Sequence, residues 1–334
     1  MKTEIIAEAA QGFMGDVTQS KLLILAAASS GANAVKFQLV YADELCTPDY
    51  KDYDLFKELE MTDEEWLSLH KYSLEHKIDL YTDVFGLKSL MLSEKIGLKA
   101  IKLHPTDITN LSLLASVAKS RIPKVILGAG GANLDEIEDA LKILKEKKVD
   151  LLLGFQGYPT KTEDNHILRL KTLGSYLAKK YDNYTLGFAD HAQPTDSLKY
   201  CIAIAAIGAG AKVLEKHITL GKVMKMEDYE SALNPDEFKE FVYSINQCTI
   251  ALGKDHKIEN NFRMSQSELK YRKAIRRHVV TSKQLEKGKM ITPEDVVLKR
   301  TSSEKVIHDL SLVYNKKLLK NLIKDEPLSN QNLV

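Results

Sequence analysis

The chain has 334 residues, of which 44% are hydrophobic and 28% are charged. This length accommodates a large domain with a small appended one, and the composition is typical of a globular protein with a sizeable apolar core. Lys and Arg total 47 against 46 Asp and Glu, so the formal net charge of +1 provides no overall field for nucleic acid or a membrane surface.

The cysteines are few and widely separated. Cys46, Cys201 and Cys248 form no CxxC pair and are odd in number, which disfavours a disulfide framework or a thiolate zinc site. The N-terminus runs directly into a strand-like segment, and no apolar run has the length of a membrane span. We therefore expect a cytoplasmic protein that is kept in a reducing compartment and has no membrane partner.

Short apolar runs alternate with longer helical patterns from the N-terminus to about residue 253. Alternation predicts parallel strands, because a right-handed helical crossover returns the chain to the same edge of the sheet. Eight such units, without a GxGxxG after the first strand, favour a (β/α)8 TIM barrel over an open dinucleotide-binding sheet. The predicted strands are Glu4–Glu8, Ala34–Val40, Asp79–Thr82, Ala100–Leu103, Val125–Leu127, Leu151–Phe155, Thr185–Phe188 and Lys212–Leu214.

The C-terminal part of the chain has a different character. We predict a barrel domain over 1–253, a polar and charge-rich linker over 254–274, and a small domain over 275–334. In the small domain His278-Val279-Val280 is strand-like, and Thr292-Pro293 places a capping residue before a proline at the first helical position. A unit of this size is marginal for an independent core, so we expect it to pack on a partner surface.

Two histidines follow the last two predicted strands. His191 and His217 therefore lie on neighbouring strands at the C-terminal end of the barrel, where barrel proteins carry their active sites. Imidazole nitrogens bind first-row divalent ions, and carboxylates at the same strand ends favour Mn²⁺ or Mg²⁺. The alternative is that each histidine only hydrogen-bonds a loop carbonyl.

Two lysines also lie at strand ends. Lys36 and Lys102 would be costly to desolvate without an anion, which predicts a phosphate or carboxylate ligand. The alternative is an ion pair with Glu8 or Asp107 inside the barrel mouth. The glycine-rich run after the fifth strand, residues 127–131, would let backbone N–H groups approach such an anion closely.

Several short motifs, taken in order, resemble the sialic acid synthase family, which includes N-acetylneuraminate, legionaminate and pseudaminate synthases. The resemblance covers almost the whole chain, and the C-terminal unit is similar to the family's antifreeze-like (SAF) domain, a small β-clip fold. The matching motifs are Ala7-Glu8, Lys36-Phe37-Gln38, Tyr158-Pro159-Thr160, Asp190-His191, Glu215-Lys216-His217, Asp228 with Asn234-Pro235, and Lys299-Arg300.

The resemblance implies that phosphoenolpyruvate condenses with an open-chain N-acyl amino sugar aldehyde to give a nonulosonic acid and phosphate. His191 and His217 would hold Mn²⁺ or Mg²⁺ as a Lewis acid, and Asp107 would manage the attacking water and its protons. The implied catalytic residues are Asp107, Glu8, Lys36 and Lys102. The implied phosphoenolpyruvate-binding residues are Glu8, Lys36, Thr82, Lys102, Gly128 and Gln156, and those for the sugar are Gln38, Tyr158, Asp228 and Arg300.

The same resemblance implies a domain-swapped homodimer, in which Arg300 of one subunit reaches the site of the other. The chain also departs from the family: Lys102-Leu103-His104-Pro105-Thr106-Asp107 stands where the family has Lys-Ile-x-Ser-x-Glu. Hydroxyl donors are lost, and His104 and Thr106 could replace some of them. Two alternatives stay open, a keto-acid aldolase with a Schiff-base lysine and a non-catalytic sugar-binding paralogue, and the sugar itself is not determined.

Overall fold

The computed structural model describes residues 2–154, 157, 159–193, 199–253, 264–303 and 306–334. The chain divides into two compact units, Met1–Lys254 and Asp255–Val334. Within the described ranges, no helix combines the length and the apolar character that crossing a membrane requires.

Eight parallel strands close into a barrel in the N-terminal unit, and the last strand pairs with the first. This confirms the predicted (β/α)8 barrel, which follows from the right-handed return of each β–α–β unit. The strands are β1 (Glu4–Ala10), β2 (Ala34–Leu39), β3 (Asp79–Val84), β4 (Ala100–Leu103), β5 (Lys124–Gly128), β6 (Lys148–Leu153), β7 (Tyr184–Asp190) and β8 (Val213–His217).

Helices surround the barrel, and local sequence determines where they begin. Thr62 caps one of them in a reciprocal capping box with Glu65, and Asn234 followed by Pro235 begins the long final helix of the unit. The helices are α1 (Val17–Ser30), α2 (Ala42–Leu45), α3 (Tyr53–Glu58), α4 (Asp63–Glu75), α5 (Leu87–Ile96), α6 (Leu111–Lys119), α7 (Leu134–Ile143), α8 (Leu168–Leu177), α9 (Cys201–Gly208) and α10 (Pro235–Leu252).

The side chains inside the barrel form layers of different polarity. At the N-terminal end of the strands, Lys124 Nζ lies 2.7 Å from Glu4 and 3.0 Å from Asp150, and the Tyr81 hydroxyl donates to Glu4. Above this layer an apolar cluster fills the interior, made of Ile6, Ala34, Tyr81, Ala100, Ile126, Leu152, Ala189 and Val213. The apolar layer closes the barrel from below, so a ligand can enter only from the C-terminal ends of the strands.

The C-terminal unit is built on a short antiparallel pair, β9 (His278–Thr281) and β10 (Val296–Lys299). Its core includes Val279, Leu285, Ile291, Val313, Leu318, Leu322 and Leu328. Helix α11 (Gln266–Ile275) occupies the end of the predicted linker, of which residues 254–263 lie outside the described ranges. The element predicted after Thr292 is a single 3-10 turn, Pro293–Asp295, and the backbone N–H of Thr292 donates to the Asp295 carboxylate at 3.0 Å.

Candidate active site

Five charged side chains form a connected ion-pair network at the C-terminal ends of the strands. Lys36 contacts the carboxylate of Glu8, lies 2.7 Å from Asp83 and lies 3.7 Å from Glu215. Lys102 lies 2.5 Å from Glu215. All five residues are at most 4% exposed. Both lysines therefore have carboxylate partners from the protein. The Lys36–Glu8 pair is the ion pair that the sequence analysis gave as the alternative to an anionic ligand.

Burial and charge shift the pKa values of this network in opposite directions. Burial raises the pKa of Glu8 to about 8, although Lys36 opposes the shift. Burial alone would lower the pKa of Lys36, but Asp83, Glu215 and Glu8 outweigh it and hold that pKa well above its usual value. Burial would raise the pKa of Glu215, yet Lys102 and Lys36 hold it below its usual value. At neutral pH Lys36 is therefore a cation, and Glu8 takes up a proton more readily than an ordinary carboxylate.

The two predicted metal-binding histidines lie side by side above this network. Their ring centroids are 5.2 Å apart. Burial lowers the pKa of His191 to about 3 and that of His217 well below its usual value, so both rings are neutral. Nδ1 of His191 lies 3.2 Å from the Ala189 carbonyl, which can only accept, so Nδ1 carries the proton and Nε2 keeps its lone pair. Two neutral imidazoles fit a divalent ion.

The part of the chain that the structure describes offers such an ion few further ligands. No group of three or more His, Cys, Asp or Glu side chains is arranged to hold a metal there.

A second buried ion pair holds the strand ends that carry the histidines. Lys216 lies 3.2 Å from Asp190 and donates to the Ala192 carbonyl at 3.0 Å, while the Ala192 N–H donates to Asp190 at 2.9 Å. Because side chains alternate along a strand, Asp190 and Lys216 face outward where His191 and His217 face inward. The pair ties β7 to β8, a role for Lys216 that sequence reasoning missed although the residue lies in the Glu-Lys-His motif.

A cavity of about 640 Å³ opens at the mouth of the barrel, large enough for a small polar ligand. Its polar wall includes Gln38 and Asp228, two of the residues predicted to bind the sugar. Gln11 donates to Gln38 at 2.8 Å, and burial, reinforced by Glu227, raises the pKa of Asp228 to about 6. The other lining residues are Gln11, Leu45, Cys46, Thr47, Tyr50, Phe56, Phe85, His104 and Thr106.

Sequence reasoning missed most of this wall and two members of the ion-pair network. Asp83 and Glu215 were recognisable only as polar residues at strand ends, whereas Tyr50, Phe56 and Phe85 have no local pattern that distinguishes them from core residues. Tyr50 and Phe56 come from the segment after β2, and they line the same cavity as Phe85, which follows β3.

Thr82 requires a correction, because the structure directs it away from the network. Its hydroxyl hydrogen-bonds Ser93 of α5 at 3.0 Å. Tyr81 and Asp83 point into the barrel, so strand alternation turns Thr82 toward the helices, and it does not reach the phosphoenolpyruvate site predicted for it.

Asp107 does not line the cavity, although it was predicted to act in the site. It is half-buried, and its carboxylate accepts hydrogen bonds from Thr106 and Asn110. A Cβ at Gly128 would lie 2.6 Å from the Pro105 side chain, so packing against the loop after β4 explains this glycine. The contacts of Asp107 are thus with its own loop, while the predicted binding of phosphoenolpyruvate at Gly128 stays a prediction.

For three predicted ligand-binding residues the structure offers no test. Arg300 lies directly after β10 in the C-terminal unit and is exposed. Gln156 and Tyr158 lie outside the described residues.

The fold and the site define a (β/α)8-barrel protein with a buried charged site at its C-terminal mouth and a separate small C-terminal unit. A family model described as the NeuB family matches residues 23–257, and one described as the SAF domain matches residues 276–334. The chain therefore belongs to the NeuB family, which confirms the resemblance seen in its motifs.

Named relatives are similar over nearly the whole chain. The identity is 32% over 321 residues to an N,N'-diacetyllegionaminic acid synthase of Campylobacter jejuni, covering 90% of this chain and 91% of that protein. It is 28% over 339 residues to the protein of the same name from Legionella pneumophila, covering 95% and 91%. A crystal structure of an N-acetylneuraminic acid synthetase from Leptospira borgpetersenii, in complex with citrate, matches with a TM-score of 0.73 at 28% identity, covering 82% and 93%.

Proposed function

We propose that this protein condenses phosphoenolpyruvate with an open-chain N-acyl amino sugar aldehyde, giving a nonulosonic acid and phosphate. The observation that carries the proposal is the convergence of two buried lysines and two neutral histidines at the strand ends of the barrel that the cavity adjoins. The names of the relatives, which are synthases of legionaminic and N-acetylneuraminic acids, support the same class of reaction.

Lys36 and Lys102 supply the positive charge for phosphoenolpyruvate. Each is paired with a protein carboxylate, so the phosphate or carboxylate of the ligand would replace Glu8, Asp83 or Glu215 as its partner. The high pKa of Glu8 favours this exchange, because a protonated carboxyl does not repel the incoming anion.

His191 and His217 are the residues that would hold Mn²⁺ or Mg²⁺. Such an ion would act as a Lewis acid on the sugar aldehyde. The contact of His191 with the Ala189 carbonyl and the Asp190–Lys216 pair would keep both rings oriented for this purpose. Gln38 and Asp228 would hydrogen-bond the hydroxyl groups of the sugar, while the roles of Gln156, Tyr158 and Arg300 stay predictions.

A Schiff-base aldolase is the less favoured reaction. Its nucleophilic lysine needs a lowered pKa and access to the substrate. Lys36 has a raised pKa, and Lys216, whose pKa burial lowers, is bound to Asp190 and the Ala192 carbonyl on the outer side of the barrel wall.

The direct test measures phosphate release from phosphoenolpyruvate with a panel of hexosamines, diacetamido sugars and plain hexoses. We expect release with at least one N-acyl amino sugar, loss of release with EDTA, and recovery with Mn²⁺. Borohydride trapping of a keto acid on a lysine, with no effect of EDTA, would indicate the aldolase. A wild-type protein that releases no phosphate with any of these sugars would contradict the proposal.

We further propose, from the family resemblance, a homodimer in which Arg300 of one subunit completes the site of the other. Mixing a His191→Ala subunit with an Arg300→Ala subunit should then restore activity, because each mixed dimer has one site without either lesion. Each variant alone should be nearly inactive. Mixed dimers that form but stay inactive would rule out the exchanged arrangement.

A further inference from the structure

We infer that His104 is the proton-transfer group of the site, held in place by a hydrogen-bond relay through Thr106 to Asp107. The inference deepens the proposed condensation and rests on it. It changes the role of Asp107 from a residue that acts on water directly to one that positions His104.

Of His104 and Asp107, only His104 lies where it could reach a substrate in the cavity. Asp107 is half-buried, accepts from Asn110 Nδ2 at 2.9 Å and is not among the residues that line the cavity. His104 lines the cavity together with Gln38 and Asp228. It follows Lys102 by two residues at the end of β4, so strand alternation directs both side chains to the same face.

The hydrogen bonds of the relay determine which ring nitrogen of His104 carries the proton. The Thr106 hydroxyl donates to Asp107 at 3.1 Å, so its oxygen is left to accept from Nδ1–H of His104, also at 3.1 Å. The backbone N–H of Thr106 lies 3.5 Å from the same Nδ1, which is at the limit for a hydrogen bond. We assign the proton to Nδ1 because its contact with the Thr106 hydroxyl is the shorter of the two. Nε2 then keeps its lone pair, and no described residue hydrogen-bonds it.

The surroundings keep this ring neutral at physiological pH. Burial lowers the pKa of His104 to about 4, and the charges of Asp83 and Glu215, which favour the imidazolium, are opposed by Lys102 and Lys36. These charged groups belong to β3, β8, β4 and β2, and the ring centroid of Phe85 lies 5.8 Å from that of His104. A neutral imidazole with a free Nε2 is a proton acceptor.

The proton balance of the condensation needs one such group. C3 of phosphoenolpyruvate bonds to the aldehyde carbon, whose oxygen must take a proton, and water bonds to C2, from which phosphate leaves. Nε2 accepts the first proton of the water, and the imidazolium passes it to the oxygen of the former aldehyde. The second proton leaves with phosphate when the C2 hydroxyl becomes the ketone, so only the two substrates and one water are consumed.

The relay itself can be tested without substrate. ¹⁵N NMR of histidine-labelled protein, with the His104 signals assigned from a His104→Gln variant, should show the Nδ1–H tautomer in the wild type. Thr106→Val and Asp107→Asn should shift this ring toward the Nε2–H tautomer, because Nδ1 loses its acceptor or that acceptor loses its anchor. A wild-type His104 in the Nε2–H form would overturn the relay.

Kinetics then test the catalytic role. His104→Gln should lower kcat by about 10²- to 10⁴-fold with little change in KM for phosphoenolpyruvate, and added imidazole should partly rescue His104→Ala. Thr106→Val and Asp107→Asn should lose less. The control is His76→Gln, since His76 ends α4 and its ring contacts Tyr72. Wild-type turnover in His104→Gln would overturn the inference. An inactive wild type would instead overturn the proposed function, and the relay would then be tested by the NMR measurement of the His104 tautomer alone.

Discussion

His191→Ala and His217→Ala should each abolish turnover and weaken Mn²⁺ binding by at least about 100-fold, because losing a residue that only orients a metal ligand already costs about 10- to 100-fold. Each substitution removes one of the two imidazoles proposed to hold the ion, whose ring centroids lie 5.2 Å apart. The barrel should stay folded, since both rings lie at its mouth and the Asp190–Lys216 pair that ties β7 to β8 is retained.

The measurement is electron paramagnetic resonance of free Mn²⁺ during titration, which reports binding independently of activity. Thermal unfolding of the same samples separates loss of the site from loss of the fold. His76→Ala is the matched control, because it removes an imidazole from the end of α4 and should leave Mn²⁺ affinity unchanged. Wild-type Mn²⁺ affinity in either site variant would show that the histidine is not a ligand.

Lys36→Met should have the second large effect, on stability as well as on binding. The substitution leaves the buried Asp83 carboxylate without its ammonium partner, so we expect the free energy of unfolding to fall by about 3–5 kcal/mol at pH 8. Burial already raises the pKa of Glu8 in the folded chain, and the variant loses the lysine that opposes this shift. The folded state then binds more protons, so stability should recover as the pH is lowered toward the pKa values of the unfolded carboxyls.

Chemical denaturation between pH 8 and pH 5 measures this dependence. Lys36→Met combined with Asp83→Asn should regain part of the loss at pH 8, because one uncompensated charge is removed. Lys99→Met is the matched control: it breaks an ion pair with Asp79 whose lysine is 67% exposed, so its cost should stay below about 1 kcal/mol. Calorimetry should also show weaker phosphoenolpyruvate binding by Lys36→Met. Unchanged affinity, or a stability loss independent of pH, would contradict the role given to Lys36.

The sequence by itself determined the architecture and the strand ends that carry function. Alternation of short apolar runs with helical patterns was sufficient for the closed barrel, because parallel strands and right-handed crossovers leave few other arrangements. It also determined that His191 and His217 would be neighbours, since residues ending consecutive parallel strands must meet at one end of the barrel. Lys36 and Lys102 were recognised for the same reason.

Only the tertiary structure decided which way these side chains turn and what they contact. Thr82 lies beside Asp83 in sequence, yet strand alternation turns one toward α5 and the other toward Lys36. Asp107 was placed in the site by its position in a motif, but the 3-10 turn Pro105–Asp107 keeps it out of the cavity lining and leaves His104 on the cavity wall. The partners of the lysines come from β1, β3 and β8, and such long-range pairings depend on the closure of the barrel, which no local pattern records.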